Sequence, residues 1–279
     1  MAKFQNKLLL SDYDNTLHYT EATLREGVPL PPISPRNLEA IRYWIEEGGR
    51  FSVATGRTLA AFRSQAAGIP MNAPAVVDNG GAIYDFASEK YLVKNILAAS
   101  ALDCIASVME AFSQVSLELY RENGLVQVMR PTDWNRQHAM LTGLPFQVVE
   151  RLEEPDPPMI KALFVAERTV LDQVKAFLER TGQAADCELI FSTDHLLELT
   201  AKGADKGKMA LRLKALCGCD ALYCVGDHAN DLPLLGAADR AFAPANAIAE
   251  VLSSGAAAVC HCLDGALGDV VDILDRELG

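Results

Sequence analysis

The sequence predicts an α/β protein: a doubly wound, parallel-sheet core with an α+β module inserted into it. Three observations lead there. Short apolar runs alternate with helical patterns from residue 7 to residue 81, at the pitch of βαβ units. That alternation breaks near residue 86 and resumes near residue 201. Several of the apolar runs also end abruptly in polar turns that carry carboxylates, at the edge where open α/β sheets bind ligands.

The elements follow in order. Residues 7–11 read as a buried strand. Ser34-Pro35 opens a helix, with serine at the cap and proline in the first turn. Leu38, Ile41 and Ile45 form its apolar face, Trp44 lies beside them, and Gly48-Gly49 ends it. Phe51–Ala54 is a second strand, and a helix follows from about Leu59 to Ala67, closed by Gly68. Ala75–Val77 is a third strand, ending at Asp78-Asn79-Gly80-Gly81.

Beyond residue 86 the expected elements are a helix near 96–112 and strands at 115–120 and 124–129, with Asn123-Gly124 as the hairpin turn. A strand and helix near 159–166 and 168–180 come next, then strands near 187–192 and 196–200. Pro155-Asp156-Pro157-Pro158 is the main irregular loop. The parallel pattern resumes with a helix at Lys206–Leu216 and a strand at Leu222–Val225. Short units at 240–243, 246–252 and 256–260 precede a terminal helix near 266–278. The reading is therefore a core of residues 1–85 and 201–279, with 86–200 inserted.

Bulk properties narrow the function. Half of the 279 residues are apolar, enough for a substantial core. A formal charge of −12 argues against nucleic acid or an anionic membrane as the partner. No run reaches the roughly 18 to 20 apolar residues that cross a bilayer. Residues 1–6 lack the apolar stretch of a signal peptide, so the expected location is cytoplasmic. Seven cysteines do not suggest a secreted disulfide framework, and Cys217-Gly218-Cys219 and Cys260-His261-Cys262 lack the usual zinc-knuckle spacing.

Four short segments hold the candidate chemistry: Asp12-Tyr13-Asp14-Asn15-Thr16, Ala54-Thr55-Gly56-Arg57, Lys206-Gly207 and Gly226-Asp227-His228-Ala229-Asn230-Asp231. Asp12 and Asp14 suit carboxylate attack on a phosphate ester, with Mg²⁺ neutralising charge and Asp14 handling the leaving-group proton. On an extended chain the two would point to opposite faces, so a turn must re-aim Asp14. Thr55-Gly56, between a strand and a helix, offers a hydroxyl and backbone N–H groups to a phosphate oxygen. Arg57 fits either a phosphate contact or a solvated helix position. Lys206 at a helix start is electrostatically misplaced unless an anion is near. Asp227 is placed to share a metal with Asp12, and Asp231 to orient that shell. Asn230 or Asp231 alone would read as a helix cap.

The order of these segments resembles the haloacid dehalogenase-like hydrolases over essentially the whole chain. Asp12-x-Asp14-x-Thr16, Thr55, Lys206 and Gly226-Asp227-x-x-Asn230-Asp231 match the four family motifs in turn. The place of the insertion is similar to that of the Cof-like sugar-phosphatase branch. So are Thr55-Gly56-Arg57, Asn79-Gly80-Gly81, Leu197-Glu198-Leu199 ahead of Asp205-Lys206-Gly207, and Asn246-Ala247. The resemblance implies a Rossmann-like core and a specificity cap that closes over a small phosphorylated metabolite. It implies Asp12 as nucleophile and metal ligand. Asp14 would be acid and then base, with its carbonyl on Mg²⁺. Asp227 would be a metal ligand and Asp231 its support. Thr55, Gly56 and Lys206 would bind the phosphoryl group, and Asn230 would hold phosphate or Lys206. Asn15 stands where the family often has glycine, and Tyr13 where an aliphatic residue is usual. Asparagine tolerates the left-handed backbone, so the turn should survive.

Two rivals share this architecture, a phosphomutase and a disaccharide-phosphate phosphatase. A receiver-like binding module is opposed by Lys206 and by the size of the insert. Tyr120, Arg121, Arg130, Asp194 and His195 lie near strand ends of the insert, where solvated surface is the favoured reading for each.

Overall fold

The structure, a computed structural model, describes residues 2–26, 28–152 and 158–278. Contacts divide the chain into two compact units, Met1–Val93 with Asp205–Gly279, and Lys94–Ala204. Residues 155–157 of the expected irregular loop lie outside the described residues.

The first unit begins with β1 (Lys7–Ser11), β2 (Arg50–Val53), β3 (Ala75–Val77), β4 (Ala82–Asp85) and β5 (Lys90–Lys94). Between β1 and β2 lies the helix Pro35–Glu46. Ser34 occupies its cap position, but its side chain makes no capping bond. Ile41 and Trp44 are its buried apolar residues, with Leu38 and Ile45 only half-buried. The third strand departs from the expected plain parallel continuation. β3 meets the sheet through one bridge, Ala54 to Val76, and then pairs antiparallel with β4. Together β3, β4 and β5 form a separate three-stranded sheet.

The second unit holds β6 (Ser116–Arg121), β7 (Val126–Met129), β8 (Phe146–Val148), β9 (Met159–Val165), β10 (Cys187–Thr193) and β11 (Leu196–Ala201). These form one sheet in the order β10-β11-β9-β6-β7-β8. Its first helix covers Ala101–Ala111, shorter at its start than the expected 96–112. Ile105 and Val108 from that helix, with Leu171 and Val174 from Arg168–Thr181, pack on Leu117, Leu119, Phe164, Leu197 and Leu199 of one sheet face. A further helix, Asp133–Thr142, was not expected from periodicity. Its start was readable: Asn135 Oδ1 accepts from the Thr132 N–H at 2.6 Å, a capping arrangement, and Gly143 closes the helix at φ +70°. Trp134 from it packs with Tyr120, Val126 and Leu163 on the opposite face.

The chain returns to the first unit through the helix Lys206–Leu216, then β12 (Ala221–Val225), β13 (Arg240–Pro244) and β14 (Ala257–Val259). The five-stranded sheet runs β14-β13-β12-β1-β2 and is parallel throughout. Alternate residues of each strand feed two cores. Leu9, Phe51, Val53, Tyr223 and Val225 pack with Trp44, Val270 and Leu274. Leu8, Leu10, Leu222 and Cys224 pack with Met209, Leu213 and Leu234. Burial on both faces explains why the strands read as continuous apolar runs. The winding reverses between β1 and β12, so the switch point of the sheet lies where those two strands end.

Candidate active site

Asp12 directly follows β1, and its N–H still donates to the Val225 carbonyl at 2.9 Å. Gly226 and Asp227 directly follow β12. Both aspartates therefore stand at the switch point, and both are buried. Lys206, at the first turn of its helix, is 1 % exposed. Its Nζ donates to Asp12 Oδ1 at 2.7 Å and to Asp231 Oδ1 at 2.6 Å. The anion that its awkward helix position called for is thus a pair of carboxylates.

Asp231 has a second task. Its Oδ2 accepts from the N–H groups of Asp227 and His228 at 3.0 and 3.2 Å, which fixes the turn after β12. This packing needs Gly226, because a Cβ there would sit 2.5 Å from Asp231 Cβ. Thr16 donates to Asp227 Oδ1 at 2.7 Å and aims that carboxylate. Among the described residues, Asp12, Asp227 and Asp231 form the group able to hold a metal ion, with ligand atoms within 4.8 Å of one another. Three buried carboxylates against one ammonium leave a local surplus of negative charge. An all-oxygen donor set of that kind fits a small divalent cation.

The electrostatics follow from burial. Desolvation, reinforced by Asp231, pushes the Asp12 carboxyl up to about 7 despite the pull of Lys206. Burial, with Asp12 and Asp231 beside it, holds Asp227 well above the ordinary carboxylate range. Burial alone would lower Lys206, but Asp12 and Asp231 outweigh it and raise its affinity for the proton.

Asp14 is re-aimed by a tight turn in which Asn15 takes φ +56°. The Asn15 side chain accepts from the N–H groups of Thr20 and Glu21 at 3.0 and 2.9 Å. Asn246 donates to the Asn15 carbonyl at 2.7 Å. Asparagine thus adopts the backbone that glycine would, and adds two bonds that glycine lacks. The Asp14 carboxylate accepts two bonds from Arg57, Nε at 2.9 Å and Nη2 at 2.7 Å. Burial alone would raise Asp14, but Arg57 brings it below the ordinary range.

Thr55 is fully buried, and its Oγ1 accepts from the Arg57 N–H at 3.0 Å. Among the described residues, its own hydroxyl hydrogen has no acceptor. Gly56 lies against the Asn79 carboxamide, which a Cβ would meet at 3.0 Å. Asn230 donates to Asn79 Oδ1 at 2.9 Å. Asn79 is 1 % exposed, and its Nδ2 has no hydrogen-bond partner among the described residues. An orphaned buried donor beside Thr55-Gly56 fits an anionic ligand there.

The fold therefore gathers Asp12, Asp227, Asp231 and Lys206 into one cluster. It ties Asp14 to the Thr55 turn through Arg57, and Asn230 to that turn through Asn79. Arg57, left open by the sequence, is neither solvated nor inside its helix, which begins at Leu59. Asn79 belongs to the expected strand-end turn and to a family pattern, and its amide, unpartnered among the described residues, is visible only in three dimensions. In the second unit, Tyr120 and Arg121 are buried rather than solvated, bonded to Glu118 and Gln127 respectively. Arg130 donates to the Met109 and Phe112 carbonyls at the end of a helix. Asp194 pairs with Arg168 near the surface, and His195 stacks on Trp134 at 3.8 Å.

A switch point with clustered carboxylates and a buried lysine defines a class: α/β hydrolases that act on phosphate esters. Comparison gives the particular family. The chain belongs to the haloacid dehalogenase-like hydrolases, whose family model matches residues 10–261, and within them to the Cof-like branch. It is an enzyme of the phosphoric monoester hydrolase class. It is 28 % identical to a phosphoglycolate phosphatase of Methanopyrus kandleri, over 77 % of this chain and 79 % of that protein. It is 22 % identical to a 5-amino-6-(5-phospho-D-ribitylamino)uracil phosphatase of Bacillus subtilis, over 88 % of this chain and 90 % of that one. In fold it is similar to a haloalkanoate-superfamily phosphatase of Bacteroides thetaiotaomicron. That match has a TM-score of 0.80 at 19 % identity and covers 98 % of this chain and 96 % of that one. No helix among the described residues is long and apolar enough to cross a membrane.

Proposed function

We propose that this enzyme hydrolyses a small phosphate monoester, a sugar phosphate or related phosphorylated metabolite, through an aspartyl-phosphate on Asp12. One observation carries the reading: a buried lysine held between Asp12 and Asp231 at the switch point, with Asp227 beside them. The Asp12 carboxylate attacks phosphorus and the ester P–O bond breaks. Asp14, ionised beside Arg57 in the free enzyme, takes up a proton when the phosphate ester binds and gives it to the departing oxygen. Water then attacks the phosphorus of the acyl phosphate, Asp14 takes its proton, and Asp12 and inorganic phosphate are released. Lys206 offsets charge on Asp12 and on the phosphoryl group. Thr55, the Gly56 N–H and Asn230 hold its non-bridging oxygens. Mg²⁺ would be held by Asp12, the Asp14 carbonyl and Asp227, with Asp231 supporting them, and would supply charge neutralisation when bound. Selection of the leaving group is assigned to the inserted unit.

The test is phosphate release across a panel of phosphorylated metabolites, with Mg²⁺, with excess chelator, and with Asp12→Asn as blank. Release confined to a few compounds, and stopped by chelator and by the substitution, is expected. A folded protein that releases phosphate from none of them overturns the reading.

A further inference from the structure

Arg57 contacts the site through Asp14, and everything around it is built to keep it there. Its side chain is 4 % exposed, whereas that of Asp14 is 30 % exposed. The two bonds at 2.9 and 2.7 Å engage both carboxylate oxygens, the bidentate geometry that only a guanidinium fork provides. The guanidinium also lies over the Tyr13 ring, 5.0 Å from its centroid. That ring is fixed in turn. It meets Phe62 edge-on at 5.4 Å, and its hydroxyl reaches His18 Nδ1 at 2.7 Å and Gln65 at 3.1 Å. The Arg57 backbone is pinned as well, its N–H on Thr55 Oγ1 and its carbonyl accepting from the Asp78 N–H at 3.0 Å. Tyr13, bulkier than the residue expected at its position, thus forms the shelf on which the arginine rests.

We propose that Arg57, seated on Tyr13, is the positioning residue that holds Asp14 where it exchanges a proton with the leaving group. This rests on the phosphatase reading above. An aspartate at a tight turn beyond a strand end has free rotation about its side-chain bonds, and two fixed donors remove it. Accurate placement of a proton donor is worth about 10²- to 10⁴-fold when the leaving group is a strong base. It is worth little when the leaving group departs without a proton.

The experiment therefore compares leaving groups. Phosphoryl transfer to Asp12 is read as kcat/KM for an alkyl phosphate substrate and for 4-nitrophenyl phosphate. Arg57→Ala should lower the alkyl value roughly 100-fold and the 4-nitrophenyl value less than about threefold. Arg57→Lys, which keeps the charge but not the fork, should fall between wild type and Arg57→Ala on the alkyl substrate. In an Asp14→Asn background, Arg57→Ala should add almost nothing on either substrate. Equal losses on both substrates would instead make Arg57 a direct phosphoryl contact or a purely structural residue, and would overturn the proposal. Should Arg57→Ala fail to fold, the same comparison is made with Arg57→Lys. Wild-type enzyme that turns over neither substrate refutes the phosphatase reading itself, a result distinct from equal losses in the variant.

Discussion

Both units bury carboxylates, and they balance them differently. In the inserted unit, Glu118 receives Tyr120 Oη at 2.7 Å, Asn135 Nδ2 at 3.0 Å and His138 Nδ1 at 2.7 Å. Burial alone would raise its pKa, but His138 and these bonds bring it below the ordinary value. Glu198 is matched there by Lys161 at 2.9 Å. In the core, Asp12, Asp227 and Asp231 share the single ammonium of Lys206, and burial raises Asp12 and Asp227. A buried charge that is closed by its neighbours belongs to the architecture. One that is left open points to something the site is built to receive.

Substitutions at the two clusters should separate them. The largest effect is expected for Asp12→Asn, which should lower kcat/KM by roughly 10⁴-fold or more. Its thermal midpoint should stay level or rise, because one surplus buried charge is gone. Lys206→Met comes next. It strips the ammonium that bonds Asp12 and Asp231, and denaturant unfolding at neutral pH should show a loss of about 3–5 kcal/mol. Glu118→Gln should cost only about 1–3 kcal/mol, since it weakens a network in which both carboxylate oxygens have hydrogen-bond donors. The Mg²⁺-induced shift of its midpoint should equal that of wild type. An altered shift would erase the contrast between the clusters.

An effect of similar size to that of Glu118→Gln is expected in the pH dependence of the metal-free protein. Asp12 binds its proton more tightly folded than unfolded, with about 7 against an ordinary 3.8. The folded state therefore holds more protons between those values. The contribution is complete below the lower value and is lost as pH rises through the upper one. The midpoint of the metal-free protein should drop by a few degrees between about pH 5 and pH 8. The gain from added Mg²⁺ should grow over the same range, because the cation binds ionised carboxylates. A midpoint independent of pH in that window would remove the charge surplus from the account.

Much of the core was legible in the primary structure, because local signals there agree with the global fold. Strand ends at Asp12 and Asp227, the proline-opened helix at Pro35 and the αL-compatible Asn15 each declare themselves within a few residues. The helix Asp133–Thr142 was missed because its buried face is narrow, and only the caps at Thr132 and Gly143 mark it. β4 has no clear local signal, because its antiparallel pairing with β3 turns on the Asp78–Gly81 bend, where Asp78 and Asn79 take positive φ.

The sequence by itself determined the α/β class, the strand ends at which Asp12 and Asp227 stand, and the residue types found there. Periodicity, caps and short spacings are local properties, and a chain carries them wherever it folds. Only the tertiary structure decided which polar groups share partners: Lys206 with Asp12 and Asp231, Arg57 with Asp14, Asn79 with Asn230, His138 with Glu118. Those pairings join residues up to 194 positions apart. They are set by sheet order and by desolvation, which penalises a buried charge until a partner from elsewhere in the chain arrives.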